Sequence, residues 1–197
     1  MDKKLILFNP LTKHVQEISQ VIPYQSNNFR RCTCYHDRLF ISYWGQESLI
    51  ELFRISTWEN EQRWLSPITC RANELITAIR LNSLDQLGLC IQDENNPLSR
   101  KFRFELRDIA LNIIHTLPLY VDSGIFSRMT ALPDRHWALL NVDETLVFVV
   151  SEKGELIDRI EWPRGHMSNL AVIGENIIAI RTGDKIYFYD VHFEKRN

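Results

Sequence analysis

A chain of 197 residues, 45% hydrophobic and 24% charged, carries enough apolar side chains to bury a core, which excludes whole-chain disorder. Its 23 Lys and Arg stand against 25 Asp and Glu, a net charge of -2, so no global field draws it to a phosphate backbone and nucleic acid is not expected as a partner. The longest apolar runs, such as Leu146 to Val150 and Ile177 to Ile180, fall far short of the roughly 20 residues that cross a bilayer, so no membrane span is expected.

From the N-terminus, Leu5 to Ile18 reads as two short strands. The apolar patch Leu5-Ile6-Leu7-Phe8 is too short for the core of a signal peptide. Cys32, Cys34, Cys70 and Cys90 fall in separate strand-like segments and not in a dense framework, so free thiols and a cytoplasmic address are expected. Three units of similar internal order follow. The first is Cys32 to His36, Leu39 to Trp44, Leu49 to Ile55 and Arg63 to Pro67. The second is Ile76 to Leu81, Leu87 to Ile91, Phe102 to Leu106 and Ile113 to Leu117. The third is Ser127 to Leu132, Trp137 to Val142, Leu146 to Ser151 and Leu156 to Trp162. Leu170 to Ile173, Ile177 to Ile180 and Ile186 to Val191 then supply a first, second and third strand of another unit.

Proline punctuates this order. Pro23, Pro67, Pro118 and Pro163 end four similar segments, 44, 51 and 45 residues apart, close to the roughly 40 to 50 residues of a four-stranded repeat. Between the apolar runs stand turn formers: His36-Asp37-Arg38, Pro133-Asp134-Arg135, Val142-Asp143-Glu144, Gly174-Glu175-Asn176 and Thr182-Gly183-Asp184. Leu106 to Leu117 comes nearest to a helical pattern, but Ile113-Ile114-His115-Thr116 is β-rich and occupies the fourth-strand position, so the segment reads as strand, turn and strand.

Ser48-Leu49-Ile50-Glu51-Leu52-Phe53 and Lys185-Ile186-Tyr187-Phe188-Tyr189-Asp190-Val191 resemble the third strand of blades in WD40-type and related β-propellers, and the likeness of pattern runs across most of the chain. The Gly-His and Trp-Asp dipeptides of WD40 repeats are missing. Leu7-Phe8-Asn9-Pro10-Leu11-Thr12-Lys13 resembles the Asn-Pro-x-Thr turn of F-box-associated propeller-like domains. The resemblance and the repeat together imply an all-β fold, a β-propeller or open partial propeller of about four to five four-stranded antiparallel blades, with residues 1–197 as one domain.

Few residues point to chemistry. Cys32-x-Cys34-x-His36 groups metal-ligand types, but alternate positions on a strand lie nearly 7 Å apart, too far to converge easily on one zinc, so packing thiols are expected and no metal site. Trp58, in the polar turn Thr57-Trp58-Glu59-Asn60, is expected to be an exposed anchor for a partner; the alternative is a ring folded back over its own hairpin. Gln92 to Pro97 is acidic, without the spacing of a calcium loop. Lys101, Arg103 and Arg107, interrupted by Glu105, form a basic stripe able to bind an acidic group, or else the solvated face of an alternating strand. None of the six histidines lies in a recognisable catalytic motif.

The function expected is that of a non-enzymatic protein-interaction scaffold with no cofactor; the alternative is a propeller enzyme or a carbohydrate-binding, lectin-like module. Because both chain ends offer a third strand, simple ring closure leaves one strand over. The expected docking place is therefore the terminal seam, around Leu7, Ile186 and Phe188, where a partner protein or a second copy adds strands.

Overall fold

The computed structural model describes residues 5–9, 14–18, 29–43, 48–94, 101–121, 124, 126–132, 135–161, 167–173, 177–183 and 185–190. All regular structure among them is β. The strands are β1 (Leu5–Asn9), β2 (His14–Ile18), β3 (Phe29–Tyr35), β4 (Arg38–Tyr43), β5 (Ile50–Arg54), β6 (Asn60–Trp64), β7 (Glu74–Leu81), β8 (Gln86–Asp93) and β9 (Lys101–Asp108). They continue with β10 (Ile113–Tyr120), β11 (Phe126–Ala131), β12 (Trp137–Asn141), β13 (Leu146–Val150), β14 (Leu156–Glu161), β15 (Met167–Ile173), β16 (Ile177–Thr182) and β17 (Lys185–Asp190). Among the described residues no helix is long and apolar enough to cross a membrane.

The strands form five antiparallel sheets in chain order: β1-β2, β3-β4-β5-β6, β7-β8-β9-β10, β11-β12-β13-β14 and β15-β16-β17. Each expected unit is one sheet. The first strands neighbour one another in sequence, β3 beside β7, β7 beside β11 and β11 beside β15, and so mark an inner axis from which the sheets radiate. The fourth strands form the outer rim, where β6, β10 and β14 are mostly exposed. Pro118 lies inside β10 and not after it, which an edge strand tolerates because the missing N–H costs no ladder bond on the open side.

Local chemistry fixes the turns. The β3–β4 hairpin closes over two residues, with His36 in the left-handed region at φ 51. Asp37 in that turn accepts hydrogen bonds from Ser56 N at 2.6 Å and Ser56 Oγ at 2.7 Å, tying this hairpin to the β5–β6 turn. Asp108 caps the β9–β10 turn by accepting from Ala110 N and Asn112 N, both at 2.9 Å. Leu111, at φ 66, is held there with its side chain in the core between the first two four-stranded sheets. This is why the segment with the helical pattern turns instead.

The sheets share a finer template. Each first strand carries one extra residue against its second strand: Arg30 in β3, Thr77 in β7, Ser127 in β11 and Ser168 in β15. Each rim strand carries another at its second position: Glu61 in β6, Ile114 in β10 and Ile157 in β14. Such bulges bend a strand and raise its twist, so the repeats share one curvature. The β1–β2 ladder runs from Leu5↔Ile18 to Asn9↔His14 without a shift, and so lacks the mark of the other third–fourth pairs.

Between β3–β6 and β7–β10 lie Phe40, Ile50, Leu52 and Trp64 against Ile76, Ile79, Leu87 and Leu89. Between β7–β10 and β11–β14, Phe102 and Phe104 meet Phe126, Trp137 and Phe148. Between β11–β14 and β15–β17, Leu140, Val147 and Val149 meet Leu170, Ile178 and Ile180. Each sheet is thus buried by its neighbours, as stacked repeats require.

Candidate interaction surface

In an antiparallel ladder, directly opposite residues share a face. The β15–β16–β17 ladder therefore divides into two faces. Leu170, Val172, Ile178, Ile180 and Tyr187 pack against β11–β14. On the other face three rows cross the sheet: Asn169, Arg181 and Ile186; then Ala171, Ala179 and Phe188; then Ile173, Ile177 and Asp190. Here Ile173 is 48% exposed, Ile177 39%, Ile186 58% and Phe188 63%, a contiguous apolar surface in water. The equivalent faces of the two preceding sheets are buried. A large apolar patch left uncovered is characteristic of an interaction site.

Two of the expected seam residues, Ile186 and Phe188, thus stand together on this face, joined by Ile173 and Ile177, which strand counting had not singled out. Alternation could have found them, because Ile173 and Ile177 are opposite each other in the β15–β16 hairpin. Leu7 stands on β1 opposite Gln16, and among the described residues no ladder joins β1 or β2 to β15–β17. The Asn-Pro-x-Thr turn falls on Pro10 to Thr12, outside the described residues.

Trp58 sits at φ 58 in the β5–β6 turn, half-buried, and packs on Leu39, Ile41, Tyr43 and Phe53 of its own sheet. That is the folded-back arrangement and not the exposed anchor expected of this turn. The same sheet face holds Glu51, buried, with Oε1 accepting from Asn60 Nδ2 and Arg63 Nε at 3.0 Å each. Burial, then the neighbouring Glu51 carboxylate, pushes the Tyr43 hydroxyl well above the usual phenol range.

The basic stripe is corrected by the structure. Only Lys101 is exposed, because β9 is the third strand and not the rim, and the linker after β6 covers its polar face. Arg107, 2% exposed, donates to Ile68 O at 2.6 Å, Thr69 O at 2.9 Å and Leu111 O at 3.2 Å, and pairs with Glu105 through Nε at 2.7 Å. Arg103 bridges Glu105 and Glu74, donating through Nη2 to Glu74 Oε2 at 2.8 Å. Burial opposes the Glu74 charge, but the hydrogen bonds from Arg103 and from Arg71 N outweigh it and hold the carboxyl below its ordinary range. These residues pin the linker between two sheets; they do not present charge to a ligand.

Cys32 and Cys34 are exposed on β3, and Cys70 and Cys90 are buried, all as free thiols. Burial alone raises the Cys90 thiol far above its usual range; desolvation, with Cys34 second, raises Cys32. Raised thiols are poor metal ligands and nucleophiles. Among the described residues no three His, Cys, Asp or Glu side chains gather as a metal site would require, and Asn95 to Pro97 of the acidic loop lie outside them. His36, Asp37, Arg38, Arg54, Glu61 and Asp85 line an open cleft of about 390 Å³, but its arginines are spent on partners, Arg38 on Asp85 at 2.8 Å and Arg54 on Glu61.

No known protein family matches the sequence, and no curated protein matches it. Solved structures do. A protein of unknown function from Bacteroides caccae matches with a TM-score of 0.63 at 10% identity, over 98% of this chain and 66% of that one. BamB from Moraxella catarrhalis matches at 0.53 and 12% identity, over 81% of this chain and 41% of that one. The WD40 β-propeller domain of Doa1 matches at 0.57 and 12% identity, over 80% of this chain and 49% of that one. The chain thus spans between 41% and 66% of the length of these structures. The likeness is one of fold: the chain is an all-β, propeller-type array of antiparallel blades, with sheets that fit an open, partial ring.

Proposed function

We propose that the chain is a non-enzymatic scaffold for protein recognition and that its docking surface is the exposed face of β15–β17, completed by a sheet or strands from a partner protein. The observation that carries this reading is the contiguous exposure of Ile173, Ile177, Ile186 and Phe188 on a face whose counterparts in the two preceding sheets are covered. Burying such side chains is worth about 1.5–3 kcal/mol each, enough for a handful to dominate an interface. The free thiols support a cytoplasmic setting. Affinity purification with mass spectrometry tests the assignment. Wild type should recover one stoichiometric protein or a differently tagged copy of itself; Phe188→Asp and Ile186→Asp should lose it with unchanged circular dichroism, and Leu7→Asp should weaken it if β1 joins the seam. A hit on a glycan array or a substrate panel, with no protein recovered, would favour a lectin or an enzyme instead.

A further inference from the structure

We propose that the occupant of the β15–β17 face is a second copy of this chain, the two sheets meeting face to face about a two-fold axis that runs along β16 past Ala179. The inference rests on reading that face as an interaction surface and names what covers it. Its middle row runs Ala171, Ala179, Phe188, two small residues followed by a large exposed ring. A two-fold along the central strand exchanges the outer columns. Phe188 of each copy then falls on Ala171 of the other, Ala179 and Ile177 meet their own counterparts on the axis, and in the flanking rows Ile186 falls on Asn169 and Ile173 on Asp190. Large against small on both sides is the self-complementarity that an isologous contact needs.

Symmetry favours this arrangement over head-to-tail insertion. A two-fold contact closes after two copies and leaves no second face to propagate. The four exposed apolar side chains present on the order of 400 Å² per copy, within the range of functional patches. With its rim the contact would bury on the order of 1,000 Å² in total, the low end for specific interfaces, where weak and reversible association is common.

Sedimentation equilibrium from about 1 to 200 μM covers the range of weak, reversible association. Wild type should pass from monomer to dimer, Phe188→Asp should weaken this at least tenfold, and Tyr120→Asp, on the exposed rim strand, should not. Packed sheets lie about 10 Å apart, a gap that a short bis-maleimide spans. Ala179→Cys, made with Cys32→Ser and Cys34→Ser, should therefore cross-link into a dimer, and this readout stands even if Phe188→Asp fails to fold. A wild type monomeric throughout, or a dimer indifferent to Phe188→Asp whose Ala179→Cys variant stays uncross-linked, overturns self-association. If that monomer still recovers another protein through Phe188, the scaffold reading survives alone; a folded Phe188→Asp variant that keeps every protein partner sinks the scaffold reading itself.

Discussion

Removing the Arg107 side chain would strip donors from the carbonyls of Ile68, Thr69 and Leu111 and take from buried Glu105 one of its two arginines. Breaking a buried ion pair from one side costs about 3–5 kcal/mol, so Arg107→Ala should lower urea stability by that order. Arg107→Lys should recover only part of it, since an ammonium lacks the planar fork that reaches carbonyls and carboxylate together. A loss under about 1 kcal/mol would mean that the linker is held by other contacts. This role was not legible in the sequence. Lys101, Arg103, Glu105 and Arg107 alternate with Phe102, Phe104 and Leu106, the pattern of a half-solvated strand, and nothing local shows that a linker far back in the chain supplies its carbonyls to the polar side.

At the level of single elements, strand order and approximate boundaries were legible because turn residues and apolar runs alternate at strand length. The bulges were not: Arg30, Thr77, Ser127 and Ser168 have no common chemistry, and the shift appears only in the pairing. Gly88 in β8 has a reason of the same tertiary kind. A Cβ there would meet the rings of Phe104 and Trp137 at 2.9 Å each, so the strand gives up a side chain to let the indole of the next sheet sit against its backbone. Gly88→Ala should destabilise by about 1–3 kcal/mol, the usual cost of overpacking. Trp137→Phe should relieve it in the double variant, because the smaller ring opens space and removes a buried indole N–H that lacks a hydrogen-bond partner. Additive losses in that cycle would place the strain elsewhere.

On the scale of the molecule, each four-stranded sheet is short of a core until its neighbours arrive, and the chain lays them down in order. Sequence reading located Ile186 and Phe188 by counting strands. It could not assign them to the open face, because Tyr187 and Tyr189 on the alternate positions are also aromatic and apolar on both sides looks the same as burial on both. That distinction needed the pairing of β16 with β17.

The one-sided cover of β15–β17 also has a mechanical meaning. A sheet gripped on both faces resists shear through two layers of interlocked side chains; one gripped on a single face resists through one. Stretched between its ends in an optical trap, the isolated chain should release β15–β17 before either sheet that is clamped on both sides, giving an early rip of about 80 Å of contour length. The larger rips should follow at higher force, so that the array peels from its bare end toward its middle.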